Sequence, residues 1–215
     1  MESPSSDIII KQNTRILMPS EYEKLRRAMI TPENQRYLDD AVQAHDWTRA
    51  NYHQRYQIVS DAMLLTGMRY VEFANMQRAW YSGPRRVIQM PKDAHGKKRC
   101  QFIERTVMLS LPGCDALERY FQSGIPCIER HTMNWSLKYY AGKAGIGTDG
   151  ISVKMFRKTF VSWLMACYPE QVAVIAATMG HTINVMQRHY LALGFPTEEL
   201  RKMRDTYLVE WGKRL

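Results

Sequence analysis

The chain has 215 residues, a length that suits one large domain or one domain with a small appendage. Hydrophobic residues make up 45% of it, enough to form a core without stabilising disulfides or metals. The 30 lysines and arginines exceed the 21 acidic residues, and the net charge of +9 predicts a polyanionic partner. Nucleic acid is the first candidate and an anionic membrane surface the second, although many soluble proteins are equally basic.

The cysteines and the apolar segments exclude several classes of protein. Cys100, Cys114, Cys127 and Cys167 show neither C-x-x-C pairing nor zinc-ligand spacing, so we expect free thiols and a reducing, cytoplasmic location. The polar, acidic N-terminus is not typical of a secretory signal. The most apolar run, 161–179, is interrupted near its middle and is too short on either side to cross a bilayer, so we expect no membrane association.

The N-terminal part of the chain predicts a tail followed by helices. Residues 1–17 are predicted to be the tail, with the folded domain in 18–215. Ser20 is predicted to be the N-cap of the first helix, with Glu23 closing a capping box. Pro32 stands at the first position of a second helix, where its missing N–H has no cost.

The middle of the chain contains the only convincing β signal. A helix is predicted over about 51–65 from apolar residues spaced three and four apart, Gly67 ends it, and another helix is predicted over about 69–77. Two strands follow, at 86–90 and 104–110, joined by a basic turn that contains glycine. The pattern therefore predicts a mostly helical α+β fold with one small antiparallel sheet.

The C-terminal half is predicted to be helical almost to its end. A helix starts at Pro112, and the later helices are separated by breaks at 142–150, Pro169, Gly180 and 194–196. The last helix, 196–211, carries an apolar stripe, which is typical of a helix that packs on its own core.

Five side chains suit the chemistry of a phosphodiester: Arg69, Lys154, Arg157, His181 and Tyr190. The planar fork of an arginine binds two phosphate oxygens at once and stays protonated. Residues i and i+3 share one face of a helix, so Lys154 and Arg157 are expected to point to the same place. A tyrosine hydroxyl, with its usual pKa of about 10, becomes a nucleophile when cations or a base assist it. The set predicts attack by tyrosine on a phosphodiester, which conserves the bond energy and needs no ATP.

Taken singly, each of these residues is more often a solvated charge, a capping residue or a core aromatic. Their order and spacing together are hard to obtain by accident, and they resemble the motifs of the tyrosine recombinases, the family of phage integrases and Xer-type resolvases. Segment 66–72, TGMRYVE, resembles the first motif, T-G-[LM]-R-x-x-E. Segments 154–157 (KMFR) and 179–182 (MGHT) resemble [HK]-x-x-R and L-G-H-x, and Tyr190 stands in the place of the nucleophile. The resemblance covers about residues 18–212.

The resemblance implies a role for each matching residue. Arg69 and Arg157 bind the scissile phosphate, His181 hydrogen-bonds to it, and Tyr190 attacks to give a 3′-phosphotyrosine. Lys154 stands where most members have histidine, and it assists proton removal from the tyrosine or contacts the phosphate.

The family also has a lysine in the β-hairpin that protonates the leaving 5′ oxygen. Lys92 matches best by its spacing from Arg69, and Lys97 and Lys98 are alternatives because the turn is long. Glu72 is expected to be structural and to orient Arg69 or the neighbouring helix.

The resemblance implies a site-specific DNA recombinase or integrase without metal or cofactor, acting on double-stranded DNA in a prokaryotic or archaeal cell for a virus or another mobile element. A tetramer is expected on DNA, and a monomer or weak oligomer without it. A separate N-terminal domain that clamps the DNA is not evident in this chain.

Two alternatives to these expectations stay open. The final helix, 196–211, has a second interpretation, which is exchange with a neighbouring protomer. Two rival functions stay open: a type IB topoisomerase-like enzyme that relaxes DNA, and a non-catalytic DNA-binding protein of the same fold.

Overall fold

A computed structural model describes residues 9–94, 104–190 and 193–211. The described α-helices are α1 (Pro19–Ala28), α2 (Pro32–Gln43), α3 (Trp47–His53), α4 (Arg55–Thr66), α5 (Tyr70–Ala74), α6 (Leu111–Ser123), α7 (Arg130–Lys143), α8 (Lys154–Cys167), α9 (Val172–Met179), α10 (Ile183–Tyr190) and α11 (Thr197–Lys202). The described strands are β1 (Ile9–Lys11), β2 (Thr14–Ile16), β3 (Tyr81–Ser82), β4 (Val87–Met90) and β5 (Arg105–Met108). Short 3-10 turns lie at Arg78–Trp80 and Pro169–Gln171, and a π-helical turn follows α11 at Met203–Tyr207.

The strands form two antiparallel sheets, one of β1 and β2 and one in the order β3-β4-β5. In the larger sheet Ile88 pairs with Tyr81 on one side and with Val107 on the other. The prediction of a mostly helical α+β fold is confirmed. The predicted strand pair is present as β4 and β5, but the single predicted sheet is wrong, because a second sheet lies in the expected tail.

The expected tail of residues 1–17 is wrong over the part that the structure describes. Ile16 and Leu17 are completely buried against α8. The Leu17 amide donates to Thr159 Oγ1 at 3.0 Å, and Trp163 Nε1 donates to the Leu17 carbonyl at 2.8 Å. The segment is ordered by contacts with residues more than 140 positions away, which local sequence patterns do not reveal.

The start of α1 also differs from the prediction. Its N-cap is Met18 and not Ser20, and the carboxylate that accepts from the capping amide, at 3.0 Å, belongs to Glu21 and not to Glu23. Glu21 also forms a buried ion pair with Arg15 of β2. The β1–β2 hairpin therefore supplies, through Arg15, the charge that pairs with the capping carboxylate of α1, and the N-cap lies two residues earlier than predicted.

Most other element boundaries agree with the sequence patterns. Gly67 ends α4 with a left-handed φ of 60°, as predicted. The predicted helix over 51–65 is divided at Gln54 into α3 and α4. The predicted helix 196–211 becomes α11 and the π-helical turn, because the chain bends to bury Leu208 and Trp211 in its own core. This region therefore packs within the chain, as the first interpretation of the apolar stripe predicted.

Helix α8 lies at the centre of the fold, where α4, α9 and β2 pack against it. Its Phe156, Phe160 and Trp163 side chains are all fully buried. Helix α8 is therefore a rigid support for the side chains that project from its surface.

Within the described ranges, no single helix is long and apolar enough to cross a bilayer. The neighbouring segments Lys154–Cys167 and Pro169–Met179 pass that test only as a pair, and they meet at an angle of 113°.

Candidate active site

Arg157, one turn into α8, joins the ends of two helices. Its Nη1 donates to the carbonyl of Gly67, after α4, at 2.9 Å, and its Nη2 donates to the carbonyl of Met179, the last residue of α9. Carbonyls at the end of a helix lack intrahelical partners and carry partial negative charge, so a partly buried guanidinium is a favourable partner. Two of its five N–H groups are used in this way, and within the described residues the others have no hydrogen-bond acceptor and can bind a further anion.

Arg69 is the N-cap of α5 and is held by Glu72. Arg69 Nη1 lies 2.9 Å from Glu72 Oε1, and the Arg69 amide donates to Glu72 Oε2 at 2.7 Å. Glu72 is fully buried, whereas the Arg69 side chain is 35% exposed. Glu72 therefore orients Arg69, as expected, while part of the Arg69 side chain stays open to solvent.

His181 follows a left-handed turn at the end of α9. Gly180 has a φ of 60°, and the His181 amide donates to the Ala176 carbonyl at 2.9 Å, which closes the helix. The imidazole stands 6.3 Å from the ring of Tyr190, measured between ring centres. His181 Nδ1 is buried and has no hydrogen-bond partner within the described ranges. Such an atom is available to a phosphate oxygen or to the tyrosine.

Tyr190 is the last residue of α10, at the position that the sequence predicts, and only 7% of it is exposed. Burial raises the pKa of its hydroxyl, while the charges of Arg157 and Arg69 act to lower that pKa. The phenol therefore lies within the electrostatic field of both arginines.

The arginines also set the charge of their neighbours. Burial, and then the charges of Arg157, Arg69 and Arg105, lower the pKa of His181 to about 4, so the imidazole is neutral at pH 7. Burial and the nearby Arg69 lower the pKa of Arg157 to about 9, so this guanidinium stays charged at pH 7. Glu72 is the single carboxylate that faces these cations among the described residues, and a phosphate would relieve their mutual repulsion.

The structure brings together four of the six predicted site residues: Arg69, Arg157, His181 and Tyr190. Lys154 is exposed at the start of α8, and Lys92 is exposed two residues after β4. Neither lysine forms a hydrogen bond or ion pair with another residue in the described part of the chain. Lys97 and Lys98, the alternatives to Lys92, lie outside the described residues.

No motif in the sequence pointed to Arg105, the first residue of β5. Its Nη2 lies 2.7 Å from Glu72 Oε2, and its side chain is only 8% exposed. One signal for it was present, since residues i and i+2 of a strand share a face and Val107 is buried. That alternation places Arg105 toward the interior, where an arginine needs an anionic partner.

No group of three or more histidine, cysteine, aspartate or glutamate side chains is arranged to hold a metal ion in the segments that the structure describes.

No family model matches the sequence, and no curated protein sequence matches it significantly. Solved structures do match. The transposon Tn1549 integrase in complex with circular intermediate DNA has a TM-score of 0.62 at 13% identity, over 89% of this chain and 66% of that chain. XerA recombinase has a TM-score of 0.55 at 16% identity, over 94% of this chain and 64% of that chain.

The XerH site-specific recombinase bound to its difH substrate, in a post-cleavage complex, also matches, with a TM-score of 0.55 at 14% identity over 82% of this chain and 49% of that chain. This chain therefore spans about half to two thirds of the length of these solved chains. The likeness shows that the chain has the fold of a tyrosine recombinase catalytic domain, as predicted from its motifs.

Proposed function

We propose that this protein is a tyrosine-type site-specific recombinase, which cleaves and rejoins duplex DNA through a 3′-phosphotyrosine intermediate. One observation carries the proposal: Arg69, Arg157, His181 and Tyr190 come from four separate elements and meet in one cluster. The fold shared with recombinases and integrases supports it.

The two arginines would bind the scissile phosphate. Arg157 has N–H groups left after bonding to two carbonyls, and the Arg69 side chain is partly exposed. As phosphorus becomes five-coordinate, negative charge spreads over the non-bridging oxygens, where fixed guanidinium donors stabilise it most. The neutral His181 would donate a hydrogen bond to the same oxygens. These groups are held in place before the substrate binds, so little reorganisation is needed at the moment of reaction.

In the cleavage step the Tyr190 oxygen would form a bond to phosphorus while the bond from phosphorus to the 5′ oxygen breaks. The phenolic proton would pass to water, and Lys154, which is exposed at the start of α8 in the free protein, would assist this transfer or contact the phosphate once DNA is bound. The 5′ oxygen would take a proton from the hairpin lysine, Lys92, Lys97 or Lys98. A 5′ hydroxyl then reverses these steps to rejoin a strand, so no ATP is consumed.

The proposal extends to partner, assembly and setting. The net charge of +9 favours phosphate contacts, so duplex affinity should fall steeply with added salt. Recombination exchanges strands between two duplexes, and a tetramer on DNA would supply one nucleophile for each strand. In the cell the protein would act in the cytoplasm, on the integration of a viral genome or another mobile element.

Trapping the covalent intermediate tests this function. A library of nicked duplexes of varied sequence is incubated with the protein, and adducts that survive denaturation are counted. We expect adducts with the wild type and with Tyr207→Phe, and none with Tyr190→Phe. Tyr207 is a matched control, since it is 8% exposed against 7% for Tyr190.

Two other outcomes would contradict the proposal. Relaxation of supercoiled DNA without preference for any sequence would favour a type IB topoisomerase-like enzyme. Duplex binding without an adduct on any sequence would favour a non-catalytic DNA-binding protein.

A further inference from the structure

Arg105 is a buried arginine that none of the motifs includes. It begins β5, and in the antiparallel register it lies opposite Met90, the last residue of β4. A buried guanidinium is costly unless its charge and its donors are satisfied. The contacts of the Arg105 guanidinium therefore indicate its role in the structure.

One contact of Arg105 is with the carboxylate that holds Arg69. Arg105 Nη2 lies 2.7 Å from Glu72 Oε2, while Arg69 Nη1 lies 2.9 Å from Glu72 Oε1. Burial acts to raise the pKa of Glu72, but the charge of Arg105, together with the Arg69 amide and the charge of Arg157, lowers that pKa below its ordinary value. Glu72 is thus a charged bridge between two arginines, one largely buried and one partly exposed.

The other contact of Arg105 is with the turn that carries His181. Arg105 Nε donates to the carbonyl of Thr178 at 3.1 Å. Its side chain also packs against Gly180, where an added Cβ would lie 3.1 Å from Arg105 Cδ and 3.4 Å from Nε. Gly180, the residue before His181, thus packs closely against the Arg105 side chain.

These contacts do not suit direct binding of a substrate by Arg105. Its side chain is 8% exposed, compared with 35% for Arg69. One rigid, planar guanidinium thus donates a hydrogen bond to Thr178 through Nε and forms an ion pair with Glu72 through Nη2, which holds the two in a fixed relation. A lysine at this position would keep the charge but would lose that two-way geometry.

We propose that Arg105 is a positioning residue that fixes His181 relative to Arg69, through the α9–α10 turn on one side and Glu72 on the other. This inference rests on the proposed function, because it assigns a purpose to the relation between two groups that would face one phosphate. A displacement of 1 Å in such a relation can cost on the order of 100-fold in rate.

The test compares Arg105→Gln and Arg105→Lys with Arg86→Gln. Arg86 is a matched control, because its side chain is also 8% exposed and it forms an ion pair with Glu210 at 2.8 Å. For each variant we measure the rate of adduct formation at saturating DNA, the DNA affinity, and the pH titration of the His181 ring by NMR without DNA. Rates are normalised to the folded fraction.

We expect Arg105→Gln to slow adduct formation on the order of 100-fold, with little change in DNA affinity. Arg105→Lys should also be slow although it keeps the charge, and its His181 titration midpoint should rise from about 4 as the turn opens to water. Arg86→Gln should match the wild type in all three measurements.

Wild-type rates in Arg105→Gln, or full recovery in Arg105→Lys, would overturn the inference, the second because charge alone would then suffice. If Arg105→Gln does not fold, the adduct rate of Arg105→Lys and the NMR titration of its His181 ring still test the inference. If even the wild type forms no adduct, the proposed function fails by itself. The titration then still tests the positioning role, and an unchanged His181 midpoint in Arg105→Lys would refute it.

Discussion

The guanidinium of Arg157 donates a 2.9 Å hydrogen bond to the carbonyl of Gly67, a residue 90 positions earlier in the chain. The same guanidinium bonds to the carbonyl of Met179, so one side chain connects the first and third motif segments through the second. The contact explains why widely separated motifs meet, because each motif segment begins or ends a helix beside the same partly buried guanidinium.

We predict that Arg157→Ala has two separable effects. Loss of the charge that faces the transition state should slow adduct formation on the order of 100- to 1,000-fold, with a much smaller change in DNA affinity. Loss of the two hydrogen bonds should lower the free energy of unfolding by about 1 to 3 kcal/mol for each carbonyl left unsatisfied. Single-turnover cleavage and urea unfolding measure the two effects. Equal losses in cleavage and in DNA affinity would show that Arg157 only binds DNA.

The pH dependence of stability should contain a contribution from His181. Its pKa is about 6.5 in the unfolded chain and is lowered to about 4 in the folded protein. Between these values the unfolded state binds more protons, so this contribution is complete above about pH 6.5 and is lost as the pH falls toward 4. Its slope is at most about 1.4 kcal/mol per pH unit.

The control for this prediction is His181→Gln, which cannot titrate. The difference in unfolding free energy between the wild type and this variant should change over that window and become constant above it. A difference that does not depend on pH would show that the folded protein leaves the pKa of His181 close to its ordinary value.

Gly67→Ala should lower the free energy of unfolding by more than the strain of its left-handed backbone alone. A Cβ at Gly67 would lie 2.5 Å from Phe160 Cδ1, inside van der Waals contact, and the φ of 60° adds strain. Gly124→Ala is the matched control, because Gly124 has a φ of 65° with no atom within 4 Å of an added Cβ. We expect about 1 to 2 kcal/mol for Gly124→Ala and a further 1 to 3 kcal/mol for Gly67→Ala, measured by urea unfolding. Equal losses would mean that the core adapts to the methyl group.

The β1–β2 hairpin should contribute to stability through the buried pair of Arg15 and Glu21. Their side chains are 1% and 6% exposed, so Arg15→Gln leaves a buried carboxylate without its charge partner. We expect a loss of about 3 to 5 kcal/mol in thermal or urea unfolding. Arg201→Gln, in a pair with 69% exposure on both sides, should leave the unfolding midpoint unchanged. A small effect of Arg15→Gln would indicate that the hairpin is only loosely attached.

Local signals in the sequence predicted much of the helical architecture and failed at specific points. Gly67 and Gly180 were readable as helix ends because a left-handed residue favours glycine for reasons internal to the chain. The sequence did not predict that Ile16 and Leu17 belong to the core, because a short apolar pair becomes buried only through its contact with the distant helix α8. The break after α11 follows from the need to bury Leu208 and Trp211, which helix propensity does not reveal.

The sequence by itself determined which side chains can take part in the chemistry. These are two arginines, a histidine and a tyrosine, and their spacing indicated that they form one site. Only the tertiary structure decided how they are supported. It added Arg105 from a strand that carries no motif and left Lys154 exposed at the start of α8. Motif spacing follows from local backbone geometry, whereas the placement of a buried charge follows from the carboxylates and carbonyls that distant segments bring within hydrogen-bonding distance.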